Sequence, residues 1–194
     1  MTAISSGEYT ARKGYAFSST NNLVLNFKKS VQTRNTAQWQ YKERAIGQSA
    51  AAFRAALNDE WLNVATLVPI PPSKACADPL YDDRMVRMLR AIRAQPPLDV
   101  RDLVVQTVST GAVHDQETRP RPAEIEALYR IDDALRDPSP RVIGLFDDVL
   151  TTGAHYRAAA AVLQQAFPGI RIIGLFIARR VPEAVDVEDF DISD

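Results

Sequence analysis

Asp147 and Asp148 stand side by side after an apolar run, Val142 to Phe146, and Thr151, Thr152, Gly153, Ala154 and His155 follow shortly. Adjacent carboxylates repel, and burying either is costly unless a cation or hydrogen-bond donor meets it. The apolar run reads as a buried strand, and open parallel α/β sheets bind ligands at the carboxyl ends of their strands. The Thr-Thr-Gly stretch then reads as a tight turn into an alanine-rich helix. Such a turn points backbone N–H groups outward at the positive end of the helix dipole, which suits a phosphate. Threonine hydroxyls add hydrogen bonds, and a glycine lets the backbone close around an anion. The segment therefore combines an anion cradle with a pair of acceptors. A phosphorylated sugar has the matching groups: a phosphate for the turn and vicinal hydroxyls for the carboxylates.

The elements that must position these residues alternate between strand and helix. Residues 19–31 place Leu23, Phe27 and Val31 four apart with Ser19 or Thr20 as a cap, which predicts a short helix, a strand being the alternative. Residues 36–58 predict a long helix capped by Thr36, with Trp39, Ala45, Ile46, Ala50, Phe53 and Leu57 on its apolar stripe. "VATLVPIPP", 64–72, predicts a buried strand stopped by prolines. Residues 78–94 predict a helix with Leu80, Met85, Met88, Leu89 and Ile92 inward, and 101–110 a second strand. The stretch "STGAVHDQETRPRP" is too rich in glycine, proline and charge for a core element and predicts a mobile loop. A helix over 122–135, a third strand at "RVIGLF", a helix from Thr152 to Phe167 and a fourth strand at "IRIIGLFIARR" complete the order. Residues 1–18 are polar and predict a partly irregular start. Continuous apolar strands alternating with helices imply an α/β fold: an open, mostly parallel sheet with helices on both faces.

The stretch "VIGLFDDVLTTGAH" resembles the phosphoribosyl pyrophosphate (PRPP) signature of type I phosphoribosyltransferases: hydrophobic strand, two acids, short apolar link, Thr-Thr-Gly. The resemblance implies that fold, with Asp147 and Asp148 on the ribose hydroxyls and Thr151, Thr152, Gly153, Ala154 and His155 on the 5-phosphate. Many members have Thr or Ser at the place of His155, so a hydroxyl donor is exchanged for a titratable ring. "LVPIPPSKACADPLYDDR" resembles the family's diphosphate loop, which implies diphosphate contacts from Ser73 and Lys74, with Arg84 as a possible second cation. A solvated loop lysine is the plainer reading of Lys74, and a surface helix residue that of His155. Cys76 reads as a small packing residue. The family's flexible loop corresponds to "STGAVHDQETRPRP", which makes His114, Arg119 and Arg121 candidates to reach the diphosphate on closure; a surface loop without catalytic residues is the alternative.

The order of segments is most similar to the ComF-related branch, without its cysteine-rich zinc module and with Leu80-Tyr81-Asp82-Asp83-Arg84 where Arg-Gly-Phe-Asn is frequent. The implied organisation is an N-terminal hood over 1–60, a phosphoribosyltransferase core over 61–181 and an acidic tail over 182–194. Lys74, Asp147 and Asp148 would be the catalytic residues. Mg²⁺ would be the cofactor, held through PRPP and through waters on Asp147 and Asp148 rather than by direct protein ligands. The acceptor would be a small nitrogen nucleophile, nucleobase-like, and Phe27, Trp39 and Tyr41 could stack on it or belong to the core. A non-catalytic PRPP or nucleotide sensor on the same fold, in a DNA-uptake or defence context, is the alternative.

Composition limits these readings. The 194 residues carry 46% hydrophobic side chains and a formal net charge of −1, so no global basic field favours nucleic acid. One cysteine permits no internal disulfide and suits a reducing cytosol. No apolar stretch reaches membrane-spanning length and no secretory leader is visible, so a cytoplasmic protein is expected, with a homodimer as one option for its assembly. The final "VPEAVDVEDFDISD" has six acids and no base and reads as a solvated end.

Overall fold

The apolar runs of the sequence become the inner strands of one parallel sheet. The computed structural model describes residues 3–5, 7–111 and 121–182. Strands β1 (Ala3–Ser5) and β2 (Glu8–Thr10) open the chain, followed by helices α1 (Ser19–Phe27), α2 (Trp39–Ala56) and α3 (Asp59–Leu62). Strand β3 (Ala65–Pro69), helix α4 (Arg84–Ile92) and strands β4 (Asp99–Val100) and β5 (Val104–Gln106) come next. Helix α5 (Pro122–Glu126) and strand β6 (Tyr129–Ile131) precede β7 (Val142–Leu150), α6 (Ala154–Ala166) and β8 (Arg171–Val181). The main sheet has the order β1-β8-β7-β3-β4, with β2 also on β8, and every pairing in it is parallel. Strands β5 and β6 form a separate antiparallel pair.

Side chains that alternate along the inner strands feed two cores. Leu67, Phe146, Leu175 and Ile177 face α1, α2 and α4, where Phe27, Ile46, Phe53, Met88 and Leu89 are buried. Val68, Ile143, Leu145 and Phe176 face α6 and the β5–β6 pair, with Leu103, Tyr129 and Leu163. The result is the expected helix–sheet–helix layering. Gly174 lets α6 lie close to the sheet, because a Cβ there would stand 2.6 Å from the Tyr156 ring. From β3 the chain passes through α4 to β4 on one side, then crosses back to β7 on the other side of β3. The strand order therefore reverses between β3 and β7, and a crevice at their carboxyl ends is the place where such sheets bind ligands. Among the described residues, no helix is long and apolar enough to cross a membrane.

Several local expectations are corrected. The chain start is irregular over 11–18, as expected, but also holds two short strands, because pairing on β8 and the Asn21 side chain satisfy its backbone. Asn21 Oδ1 accepts from Thr10 N–H at 3.1 Å and its Nδ2 donates to Thr10 O at 2.8 Å. Ser18 caps α1, and the helix ends at Phe27, leaving Val31 outside. Helix α2 starts at Trp39 rather than at Thr36, whose hydroxyl accepts from Gln38 N–H. Helix α4 starts only at Arg84, and Leu80 is exposed. The edge strand of the main sheet is residues 99–100, while 104–106 pairs away from it with β6. The long helix expected over 122–135 is one short helix and then β6, since Tyr129 turns inward to the α6 side.

Candidate functional site

Strand β7 does not end before the acidic pair. It continues through both carboxylates to Leu150, with Asp147 opposite Phe176 and Val149 opposite Ala178 on β8. Successive strand residues point to opposite sides, and the two carboxylates have different surroundings. Asp148 is 6% exposed and is met by cations from two helical segments. Lys28 Nζ, just beyond α1, donates to Oδ1 at 3.0 Å, and Arg84 Nη2, at the start of α4, donates to Oδ2 at 2.7 Å. Burial alone would raise the Asp148 pKa, but Lys28 and Arg84 outweigh it and hold the carboxyl well below the usual range. Asp148 in turn raises the Lys28 ammonium above its ordinary value.

The ion pairs extend inward. Arg84 Nη1 donates to Asp82 Oδ2 at 2.8 Å, and the guanidinium lies 5.7 Å from the Phe27 ring centroid. Lys42 is fully buried and donates to the same Asp82 oxygen at 2.7 Å, to Phe27 O at 2.9 Å and to Lys29 O at 2.8 Å. It closes the carboxyl end of α1, where a cation complements the exposed carbonyls. Burial lowers its pKa, and Asp82 opposes that shift.

Asp147 is partly exposed, and its Oδ1 accepts from the Asp148 backbone N–H at 2.8 Å. Burial, then the charge of Asp148, push its carboxyl up to about 7. The pair thus separates into one carboxylate locked between cations and one that titrates near neutrality, a division that suits different tasks.

Beyond β7 the backbone makes the turn that an anion cradle needs. Thr151 and Thr152 are exposed, and Gly153 is the N-cap of α6 with φ +72°, a left-handed conformation that disfavours a side chain. Thr152 Oγ1 stands 3.4 Å from Ala154 N, and Arg157 Nη1 donates to Thr152 O at 3.0 Å. The first N–H groups of α6 have no intrahelical acceptor, as at any helix start. His155, half-buried in that first turn, has Nδ1 2.8 Å from the Tyr129 hydroxyl on β6.

The loop after β3 leaves the sheet beside the middle of β7, since the two strands remain paired to Pro69 and Phe146, and Ile70 N–H donates to Phe146 O at 2.8 Å. It is tied to the segment after β5. Ser73 O accepts from Thr110 N–H at 2.8 Å and Gln106 Nε2 at 2.7 Å, and Ala75 N–H donates to Ser109 Oγ at 3.1 Å. Lys74 is half-buried, and its Nζ donates to Thr110 O at 3.2 Å.

The parallel pairing of β3 and β7 puts the loop with Ser73 and Lys74, and the segment with Asp147, Asp148 and residues 151–155, at the carboxyl ends of two neighbouring strands. Arg84 is not a loop cation: it is engaged by Asp82 and Asp148. Arg121 is exposed at the start of α5, where its backbone N–H donates to Glu124 Oε2 at 2.7 Å. His114, Arg119 and the acidic segment from Glu183 lie outside the described residues. Phe27 is wholly buried and cannot stack on a ligand, whereas Tyr41 is 45% exposed. Trp39 is half-buried among Arg34, Lys42 and Arg87. Cys76 is exposed rather than packed. Sequence reasoning missed Lys28, Lys42 and Tyr129. Only the "KK" after Phe27 could have signalled a cation, and nothing local told which carboxylate it meets. No protein-family model matches the chain, and neither does any curated protein.

Proposed function

We propose that the chain is a Mg²⁺-dependent phosphoribosyltransferase that moves ribose 5-phosphate from PRPP to a small nitrogen acceptor, nucleobase-like in character, in the cytoplasm. One observation carries the reading: two carboxylates at the end of β7 run straight into a left-handed glycine turn and the start of α6, beside the switch in strand order. The resemblance to the PRPP signature supports it.

In this reading residues 151–155 hold the 5-phosphate through backbone N–H groups and hydroxyls. Asp147 accepts from ribose hydroxyls and orients the ring. Asp148, with one oxygen on Lys28 and one on Arg84, fixes those cations beside the sugar. Its partners leave it poorly suited to a metal, while Asp147 offers the oxygen donor that a hydrated magnesium ion accepts. Mg²⁺ would supply charge neutralisation at the diphosphate. The C1–O bond breaks with its electron pair leaving on the diphosphate, the acceptor nitrogen forms the new C1–N bond, and a proton leaves the acceptor. Lys74 and the N–H groups near Ser73 stabilise the negative charge that grows on the leaving group.

The test is diphosphate release from PRPP with Mg²⁺ over a panel of nucleobases. Release dependent on one acceptor supports the proposal. Lys74→Ala should then lower turnover about 10²-fold and PRPP affinity much less, because the interaction strengthens as the bond breaks. A PRPP sensor is the second reading. It is favoured by the closed state of Asp148, whose two oxygens already meet Lys28 and Arg84. Tight PRPP binding with no release for any acceptor would select the sensor.

A further inference from the structure

Tyr129 comes from β6, in the small antiparallel sheet, yet its hydroxyl ends 2.8 Å from His155 Nδ1 in the first turn of α6. The phenol is 1% exposed and its ring packs in the core beneath α6. A buried hydroxyl needs a partner, and of the two groups in this contact only the phenol carries a proton in every tautomer of the neutral pair. Burial and the nearby Asp147 charge push the phenol pKa up, and burial pushes the imidazole pKa down against the opposing pull of Asp148. If the hydroxyl donates to Nδ1, the acceptor it meets at 2.8 Å, the single ring proton of a neutral His155 sits on Nε2.

We propose that Tyr129 is a positioning residue that fixes His155 as the Nε2–H tautomer, so that the start of α6 offers a phosphate a neutral imidazole N–H donor. The proposal rests on the PRPP reading of the cradle and deepens it. The hydroxyl that a Thr or Ser would bring at this position is replaced by an N–H whose direction is set from another element. The charges that act on the ring are Asp148 on β7, which favours the cation, and Lys28 beyond α1, which opposes it, while Asp147 acts on the Tyr129 phenol. A neutral donor has a consequence for pH. Phosphate becomes dianionic near pH 6 and Asp147, raised to about 7, gains its charge over the same range, so in an Asp147→Asn background affinity should hold or rise from pH 6 to 8. A cationic His155 would make affinity fall over the same range.

Two measurements test this. The first is ¹⁵N NMR of the ring nitrogens in the free protein, with His155→Thr identifying the His155 signals against His114. The expected result is a protonated Nε2 and an unprotonated, hydrogen-bonded Nδ1; a protonated Nδ1 overturns the proposal. The second is PRPP affinity, with Mg²⁺ present, for Tyr129→Phe in the wild-type and His155→Thr backgrounds. Loss of the hydroxyl should weaken binding about fivefold with His155 present, the order of one net hydrogen bond, and less than twofold with His155→Thr. Equal losses in both backgrounds would make Tyr129 a structural residue only and overturn the proposal. If wild type binds no PRPP at all, the functional reading falls, while the NMR result still decides whether Tyr129 sets the tautomer.

Discussion

Asp147 and Asp148 differ by one position and by opposite pH behaviour. The Asp147 carboxyl is raised to about 7 by burial and by Asp148, so its folded-state pKa lies above the unfolded one. Its contribution is full below the ordinary carboxylate range and is lost as pH rises through about 7. Asp147→Asn should therefore raise stability at pH 8 by about 1 kcal/mol, a discounted value for a partly exposed group, and the gain should fade by pH 4. Thermal melts at the two pH values check this. The sign is opposite for Asp148, which Lys28 and Arg84 depress: its stabilisation is lost as pH falls below the ordinary carboxylate range. Lys42 contributes in a third way. Lys42→Met should destabilise the protein by about 3–5 kcal/mol, because it leaves Asp82 short of a cation and strands two carbonyls. Denaturant unfolding measures that loss, and a loss under 1 kcal/mol would mean that the network reorganises around the methionine. The acidic pair was legible because its chemistry is contiguous. Its cations were not, since Lys28 and Asp148 are 120 positions apart and meet only through the packing of α1 on the sheet.

The elements that carry the candidate site divide into those with a local signal and those without. Buried strands β3, β7 and β8 were visible as unbroken apolar runs, and the face of α2 as Ala45, Ile46, Ala50 and Phe53 at helical spacing. The end of β7 was misplaced because two carboxylates look like a strand terminator. Pairing with β8 and the cations on Asp148 carry the strand past them. Strand β6 was hidden inside an apparent helix because Tyr129 and Ile131 are read as well by a helical as by an alternating pattern over so short a span. The turn into α6 was legible from Gly153, and its left-handed φ gives a direct prediction. Gly153→Ala should cost about 1–2 kcal/mol from the backbone conformation. It should also weaken phosphate binding, since the new Cβ would lie 3.3 Å from Arg157 Nη1 and disturb the first turn. Melting temperature and PRPP affinity should fall together; an unchanged affinity in a destabilised variant would separate the turn from ligand binding.

At the scale of the whole molecule, the open parallel sheet with helices on both faces followed from the alternation of segments, whereas its edge did not. Strands β1 and β2 carry no apolar pattern of their own and are held by β8, by Asn21 and by the Glu8–Arg179 ion pair. Removing residues 1–10 should expose the β8 edge, lower the solubility of the folded protein and leave a template for unwanted pairing; light scattering against the intact chain shows this, and unchanged monodispersity would show that the edge is protected otherwise. The central proposal is that the carboxyl ends of β3 and β7 form a sugar-phosphate site. Its most direct measurement is calorimetric titration of the intact protein with PRPP in the presence of Mg²⁺, alongside Asp147→Asn. Saturable binding at one site, weakened roughly tenfold or more by the substitution as a charge-assisted acceptor is lost, is the predicted result. No binding by the wild type, or equal affinity in a folded Asp147→Asn, would contradict it.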